Sequence, residues 1–322
     1  MIKMKKNKPK FSIIIPIKEI NDYLKENIKN ILNQSYKNFE IIVVVDKKKI
    51  EKFPKTYIFE SGNVNPADKR DLGAKKSKGE ILAFIDDDAY PEKNWLKNAL
   101  ENFENKEITA VVGPGLTPKE DSLMQRIGGK ILESKLVSGT EDYRCKVSKK
   151  RFVNDYPTFN FFIRKNIFNK IGGFNYKYWR GEDTKLCLDI IKIGGKIIYN
   201  PKVIVYHHRR ALFVPHLKQV WKCALYRGFF VRKFPQTSRK FVYFVPSLFV
   251  IGLIIGFILS FFDFYLRLIY VEILIIYSIL LLGERIKMKK INGGVVLIIG
   301  IFLSHITYGT GFLKGIISKK LP

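Results

Sequence analysis

The sequence predicts an α/β domain, a mostly parallel sheet flanked by helices, followed by a C-terminal region of transmembrane helices. Three observations predict it. Short β-branched runs alternate with segments of helical periodicity through the first 240 residues, and acids stand where two of those runs end, at Asp46 and at Asp86-Asp87-Asp88. From Phe241 to Phe262 there is no charged residue. Strand, helix, strand in that order implies a right-handed crossover and parallel pairing. The uncharged run is long enough to span the hydrocarbon of a bilayer as a helix.

Phe11 to Ile17 is the first strand, an apolar β-branched run closed by Pro16 and polar residues. Asn21 to Asn33 carries Leu24, Ile28, Ile31 and Leu32 at helical spacing, and Phe39 to Val45 is a second buried strand. Ala67 to Lys78 reads as a helix, Ile81 to Ile85 as a strand, and Glu92 to Phe103 as a helix after the acidic turn. Val111 and Val112 continue the sheet up to the breaker Gly113-Pro114-Gly115, and a further helix runs from Glu182 to Ile193. Residues 116 to 160 carry no such pattern and are expected to hold specificity, with Tyr156-Pro157-Thr158-Phe159-Asn160 lining it.

Three apolar stretches follow, about 241–262, 264–283 and 293–313. The second is interrupted by Arg267 and Glu272, and the third carries His305. Arg232, Lys233, Arg239 and Lys240 precede the first, and Arg285, Lys287, Lys289 and Lys290 lie between the second and third, so both segments are expected on the cytoplasmic side. A third crossing carries Lys314, Lys319 and Lys320 to the other side, so the pattern is compatible with two helices or three. No apolar signal core precedes Phe11, so residues 1–240 are expected to stay in the cytosol. The expected organisation is a basic arm, 1–10; an α/β domain, 11–210; a basic interfacial segment, 211–240; and a multi-pass cell-membrane region of two to three helices, 241–322.

Lys plus Arg number 57 against 29 Asp plus Glu, a net charge of +28, which favours phosphates, nucleic acid or an acidic membrane surface. Three cysteines, Cys145, Cys187 and Cys223, lack paired spacing, which argues against a disulfide framework and a thiolate metal site. Against that basic background, three consecutive carboxylates at a strand end suit a hard cation, Mg²⁺ or Mn²⁺, with positions left for phosphate oxygens. A solvated turn or helix cap before Pro91 explains the triplet equally well. Their place at the carboxyl end of a strand, with Asp46 at another, favours a ligand site, since open α/β sheets bind ligands there.

Several ordered blocks between Phe11 and His207 resemble the family 2 glycosyltransferases, inverting enzymes with the GT-A nucleotide-sugar-binding fold. Phe11 to Glu19 is similar to the family's first strand, with Ile17-Lys18-Glu19 where Thr-Tyr-Asn is usual. Asn33 to Asp46 is similar to its second, with Val45-Asp46 in place of two aspartates. Lys69 to Ala74 resembles the helix before the acidic strand, and Phe84 to Asp88 the Asp-x-Asp motif. Gly172-Gly173-Phe174 and Arg180-Gly181-Glu182-Asp183 resemble the acceptor loop and Glu-Asp motif, and Asn200 to His207 the last shared block.

The resemblance implies a metal-dependent hexosyltransferase. Its donor side is Pro16, Glu19, Asp46, Arg70, Asp86 and Asp87; Asp88, Asp86 and His207 hold Mn²⁺ or Mg²⁺; Asp183, beside Glu182, is the base. Trp179, Arg180, Gly181, His208, Arg209 and Arg210 face the acceptor or its phosphate. Read from the residues alone, Glu182-Asp183 is also an acidic first turn, which suits a helix N-terminus and is compatible with catalysis. The implied donor is linked to UDP, GDP or dTDP, the acceptor is lipid-linked or a glycan, and nucleic acid is not a partner.

Phe213 to Phe234 mixes Leu217, Trp221, Leu225 and Phe229 with Lys218, Lys222, Arg227 and Arg232, the composition of a helix lying at a membrane interface. A processive synthase carries Gln-x-x-Arg-Trp, which the nearest string, Gln219-Val220-Trp221-Lys222, lacks. Two rival readings are a sugar-phosphate nucleotidyltransferase and a basic, membrane-tethered nucleic-acid-binding protein. The second has the charge, but its aromatics Tyr36, Phe39, Trp95 and Phe103 occupy core positions instead of a basic face.

Overall fold

The computed structural model describes residues 9–47, 51–174, 176–178, 180–287 and 293–320. Most of the expected basic arm, Trp179, Lys289 and Lys290 lie outside these residues. Contacts divide the chain into two units, residues 1–116 with 146–207, and 117–145 with 208–322. The stretch 117–145 and residues 208–210, both inside the 11–210 range expected for one domain, therefore fall in the unit that holds the apolar helices.

The first unit begins with β1 (Phe11–Pro16), buried throughout. Helix α1 (Asp22–Leu32) follows, its start fixed by Asn21, whose side chain accepts from the Leu24 amide at 2.9 Å. Such a cap contributes about 1 kcal/mol. Strand β2 (Phe39–Val45) pairs parallel with β1, and β3 (Thr56–Glu60) pairs parallel with β2. Helix α2 (Pro66–Lys76) carries Lys69, Arg70, Gly73 and Ala74 on its buried face and leads into β4 (Ile81–Ile85), on the other side of β1. Next come β5 (Ala89–Pro91), α3 (Trp95–Phe103), β6 (Ile108–Val112) and β7 (Gly115–Leu116).

The sheet order is β3-β2-β1-β4-β9-β6-β10-β8, where β8 is Arg151–Val153, β9 is Asn160–Arg164 and β10 is Lys196–Tyr199. Strand β9 enters antiparallel between β4 and β6, so the sheet is mixed. Its Phe161 and Phe162 are fully buried, and Phe162 packs against Trp95 with ring centroids 4.5 Å apart. Helices α6 (Lys165–Lys170) and α7 (Glu182–Lys192) precede β10. A second sheet, β5-β11-β7, is completed by β11 (Val205–His207).

The second unit holds α4 (Leu123–Glu133), α5 (Lys135–Ser138), α8 (Val214–Lys233), α9 (Pro235–Ser238), α10 (Phe241–Leu259), α11 (Phe264–Lys287) and α12 (Gly294–Ile317). The last three are long and apolar enough to cross a membrane. Helices α8 and α12 cross without room for side chains: a Cβ on Gly228 would lie 2.1 Å from the Phe312 carbonyl, and one on Gly315 2.1 Å from that of Leu225. Small residues at such a crossing let backbones approach where lipid offers no hydrophobic drive between helices. Ile127 and Ile131 of α4 are buried with Leu212, Leu281, Leu297 and Ile301.

Candidate functional site

Strand β4 ends at Ile85, and the chain turns through Asp86-Asp87-Asp88, closed by the Ala89 amide donating to the Asp86 carbonyl at 3.2 Å. Beyond the turn β5 pairs antiparallel with β11 in a register that sets Ala89 against His207. That pairing brings the imidazole to Asp88: His207 Nε2 lies 3.1 Å from Asp88 Oδ1. One ligand atom each from Asp86, Asp88 and His207 fall within 4.8 Å of one another, and Phe159 backs the imidazole at 4.9 Å between ring centroids. The three metal residues expected from the sequence are thus assembled from the ends of β4 and β11.

Helix α1 braces the turn. Asn27 donates to the Asp86 carbonyl at 3.0 Å, and Asn21 to Asp87 Oδ2 at 3.3 Å. Burial, then the charges of Asp88 and Asp86, push the Asp87 carboxyl up to about 6. Three acids in one turn form a donor set that suits a hard dication. Two carboxylates and an imidazole fit Mn²⁺ well, and Mg²⁺ through the carboxylates.

Arg70 links this turn to the start of α7. Its NH2 donates to Asp86 Oδ1 at 2.7 Å and its NH1 to Glu182 Oε1 at 3.2 Å. Burial alone lowers the guanidinium, but Asp86, Glu182 and Asp183 outweigh it and raise it above the ordinary value. Burial pushes Glu182 up, and Arg70 restrains the rise. Arg70 Nε, Glu182 Oε2 and Asn27 Oδ1 are buried without a hydrogen-bond partner. Such groups cost about 1–3 kcal/mol each and are ones a polar ligand satisfies.

Asp183 is half-buried in the first turn of α7, its Oδ1 accepting from the Thr184 amide at 2.7 Å. Thr184 Oγ1 in turn donates to Asp155 at 3.0 Å, which fixes the helix start. Gly181 stands at the N-cap and Arg180 is exposed. On the other flank Pro16 ends β1, Glu19 is exposed in the loop beyond it, and Asp46 follows β2. In the second unit His208 Nδ1 pairs with Asp121 Oδ1, the Arg209 amide donates to Asp121 Oδ2 at 3.3 Å, and Arg209 Nε donates to Thr117 Oγ1 at 3.3 Å. Tyr156 and Asn160, expected to line an acceptor surface, are instead fully buried and both donate to the Gly113 carbonyl at 2.7 Å.

The sequence reading missed four contributors. Asn21 and Asn27 carry no signal beyond helix position. Lys69 is a buried lysine paired with Asp46. Asp71 accepts from the Phe174 amide at 2.9 Å, and the Phe174 ring lies 5.1 Å from that of Phe84, with the Arg70 guanidinium 5.7 Å above it. Burial pushes the Asp71 carboxyl up to about 7. The one available clue was the order Lys69-Arg70-Asp71, which puts three charges on consecutive positions of a helix that must bury one face.

The sequence profile of Glycosyl transferase family 2 matches residues 12–172, half of the chain. The chain belongs to glycosyl transferase family 2. It is 26% identical over 95% of its length, and 97% of the relative's, to a dolichyl N-acetyl-α-D-glucosaminyl phosphate 3-β-D-2,3-diacetamido-2,3-dideoxy-β-D-glucuronosyltransferase of Methanococcus voltae. A glucosyl-dolichyl phosphate glucuronosyltransferase of Haloferax volcanii is 22% identical over 62% of this chain and 69% of its own. Among solved structures, a mannosyltransferase from Pyrobaculum calidifontis in complex with GDP-Man and Mn²⁺ superposes with a TM-score of 0.52 at 17% identity, covering 73% of this chain and 66% of the other. This family 2 glycosyltransferase therefore has the GT-A fold with three apolar C-terminal helices, and membership of the family sets aside the nucleotidyltransferase and nucleic-acid-binding readings.

Proposed function

We propose that this chain is an inverting, metal-dependent glycosyltransferase that moves a sugar from a nucleoside-diphosphate donor onto a hydroxyl of a sugar carried on a lipid phosphate, at the cytosolic face of the membrane. The observation that carries it is the convergence of Asp86, Asp88 and His207, with Arg70 joining Asp86 to Glu182. Asp86, Asp88 and His207 would hold the cation, which when bound offsets charge on the departing diphosphate. The full-length similarity to an enzyme named for a dolichyl-linked acceptor supports the lipid-borne substrate. Its name also implies attack by a sugar hydroxyl, which needs a base, whereas a lipid phosphate is already ionised.

Asp183 takes that hydroxyl proton as the new bond to the anomeric carbon forms, and the bond to the diphosphate oxygen breaks with its electron pair leaving on the nucleotide. Arg70 keeps a positive charge beside the developing negative one, in a setting where burial strengthens it. The basic flanks of the apolar helices, Arg232, Lys233, Arg239 and Lys240, support a multi-pass topology with the catalytic unit in the cytosol.

Calorimetric binding of UDP, GDP and dTDP to the detergent-purified protein, with and without Mn²⁺, tests the reading. One diphosphate is expected to bind only with the metal, and Asp88→Ala to abolish that binding. Metal-independent binding that survives Asp88→Ala overturns the metal assignment.

A further inference from the structure

The third apolar helix is packed unlike the other two. Of the most apolar stretch of α12, 44% is buried inside the protein, against 11% for α10 and 6% for α11. Helices α10 and α11 form an antiparallel hairpin, with Phe249 meeting Tyr277 at 4.5 Å between ring centroids and Phe257 meeting Tyr270 at 6.5 Å. The start of α10 and the end of α11 therefore share one end of that hairpin, and both ends of α12 come to it. Arg285, in the last turn of α11, packs over Gly294. Phe244, in the first turn of α10, meets Phe312 edge-on at 5.0 Å. Gly294 and Phe312 are eighteen residues apart, about 27 Å along a helix. A helix that crossed the bilayer beside the hairpin would carry Phe312 to the opposite end, where Phe261, Phe262 and Phe264 are exposed. Helix α12 instead lies across the near end.

Its companion is α8, and the two run parallel: His216 meets Ser304, Ala224 faces Gly311, Gly228 meets Phe312, and Arg232 donates to the Ser318 carbonyl. Helix α8 carries Lys218, Lys222, Arg227, Arg232 and Lys233, too many charges to pass through hydrocarbon. A helix that follows α8 along its length shares its orientation. The polar groups of α12 are satisfied within this packing. His305 Nε2 donates to the Leu136 carbonyl at 3.0 Å and its Nδ1 accepts from Tyr277 Oη at 2.8 Å. Ser304 donates to the Gly300 carbonyl at 2.7 Å, which leaves its oxygen to accept from His216 Nε2. Val295, Ile299 and Phe302, with Ile317 further on, remain exposed at helical spacing as one apolar stripe.

We propose that α12 does not cross the membrane: it lies with α8 in the headgroup region of one leaflet, the α10–α11 hairpin alone spans the bilayer, and residues 314–320 stay on the side of α8. The exposed stripe of α12 enters the acyl boundary, as the apolar face of an interfacial helix does. Lys218 and Lys222, exposed one turn apart on α8, and Lys314, 5.7 Å from the Trp221 ring centroid, meet the phosphates of that leaflet. This arrangement also gathers the charge. Arg232, Lys233, Arg239 and Lys240, then Arg285 and Lys287, then Lys314, Lys319 and Lys320 all fall on one side of the bilayer, whereas a third crossing sends the last group to the other. With the cytosolic placement proposed above, that side is the cytosol; the count of two crossings does not depend on it.

The test places single cysteines in the full-length protein, Lys222→Cys, Asp263→Cys or Lys319→Cys, with Cys145, Cys187 and Cys223 replaced by serine. Each variant is treated with a membrane-impermeant maleimide in sealed inverted and right-side-out vesicles. Lys222→Cys and Lys319→Cys are expected to label in inverted vesicles, and Asp263→Cys only in right-side-out ones. Labelling of Lys319→Cys in the same vesicles as Asp263→Cys, opposite to Lys222→Cys, overturns the proposal and leaves the cytosolic placement standing. Labelling of Lys222→Cys and Lys319→Cys together in right-side-out vesicles upholds two crossings and overturns the cytosolic placement. Should the cysteine-free background fail to fold, two protease-cleavable tags in the otherwise unaltered chain, one inserted at residue 263 and one after residue 322, give the same decision. Cleavage from opposite faces is expected, and cleavage of both from one face overturns the proposal.

Discussion

Glu182 and Asp183 are neighbours with different surroundings, and the difference divides their work. Glu182 is buried, binds Arg70 and has its other oxygen without a partner. Asp183 is half-buried at the same helix start and shares its Oδ1 with a backbone amide. The less buried carboxylate is the better base, and the enclosed one better holds a guanidinium in place. Asp183→Asn is therefore expected to keep donor affinity while lowering kcat by about 10²- to 10⁴-fold, the usual share of a general base. Glu182→Gln keeps one acceptor for Arg70 and removes the charge, so it is expected to weaken donor binding as well as turnover. Steady-state kinetics beside calorimetric donor affinities separates the two outcomes, and unchanged turnover in Asp183→Asn removes the base.

At the scale of elements, α2 is tied to the loop after α6 by one carboxylate. Asp71 accepts from Phe174, and Gly173 beside it has φ +74°, where a Cβ would stand 2.5 Å from Asp71 Oδ1. Gly173→Ala thus meets both a left-handed backbone and a clash, and is expected to lower Tm. The raised Asp71 carboxyl also gives stability a pH dependence. Its folded value, about 7, lies above the ordinary 3.8, so between these the folded protein holds a proton that the unfolded chain has released. Stability from this group is full below about 4, falls as pH rises, and is level above 7. Asp71→Asn keeps the acceptor and loses the titration, so its Tm relative to the parent is expected to rise from pH 4 to pH 7 and then stay constant. A flat difference across that range removes the assignment.

Legibility in the sequence divides along similar lines. Strands β1, β2 and β4 were readable because each is buried along its whole length, and so reads as a nearly continuous apolar run. Helices α1 and α7 were readable from period and from their acidic or amide starts. Strand β9 was not: Asn160–Arg164 is apolar at its centre, but nothing local says that it enters antiparallel between β4 and β6. The pairing of β5 with β11 joins residues more than a hundred apart through three-residue strands, too short for periodicity. His207 was found only through its motif. Ile127 and Ile131, one helical turn apart on α4, were visible in principle, but their partners are apolar helices far along the chain.

For the whole molecule, that last packing decides what a truncation does. Composition alone suggests that removal of residues 241–322 releases a soluble catalytic domain. The contacts within the second unit argue otherwise. Ile127, Ile131 and Leu212 are covered by Leu281, Leu297 and Ile301, and Ala224 and Val231 of α8 by Phe312. Cutting at residue 240 uncovers both clusters at once. Each large apolar side chain returned to water costs about 1.5–3 kcal/mol, so Ile127, Ile131, Leu212 and Val231 together cost about 6–12 kcal/mol, comparable with the 5–15 kcal/mol by which a domain is ordinarily stable. Residues 117–145 and 208–240 are then expected to lose their packing while the sheet of the first unit persists. The truncated protein should aggregate in the absence of detergent, and limited proteolysis should cut first within 117–145 and 208–240. A monodisperse, protease-resistant product of residues 1–240 would show that α4 and α8 do not depend on the apolar helices.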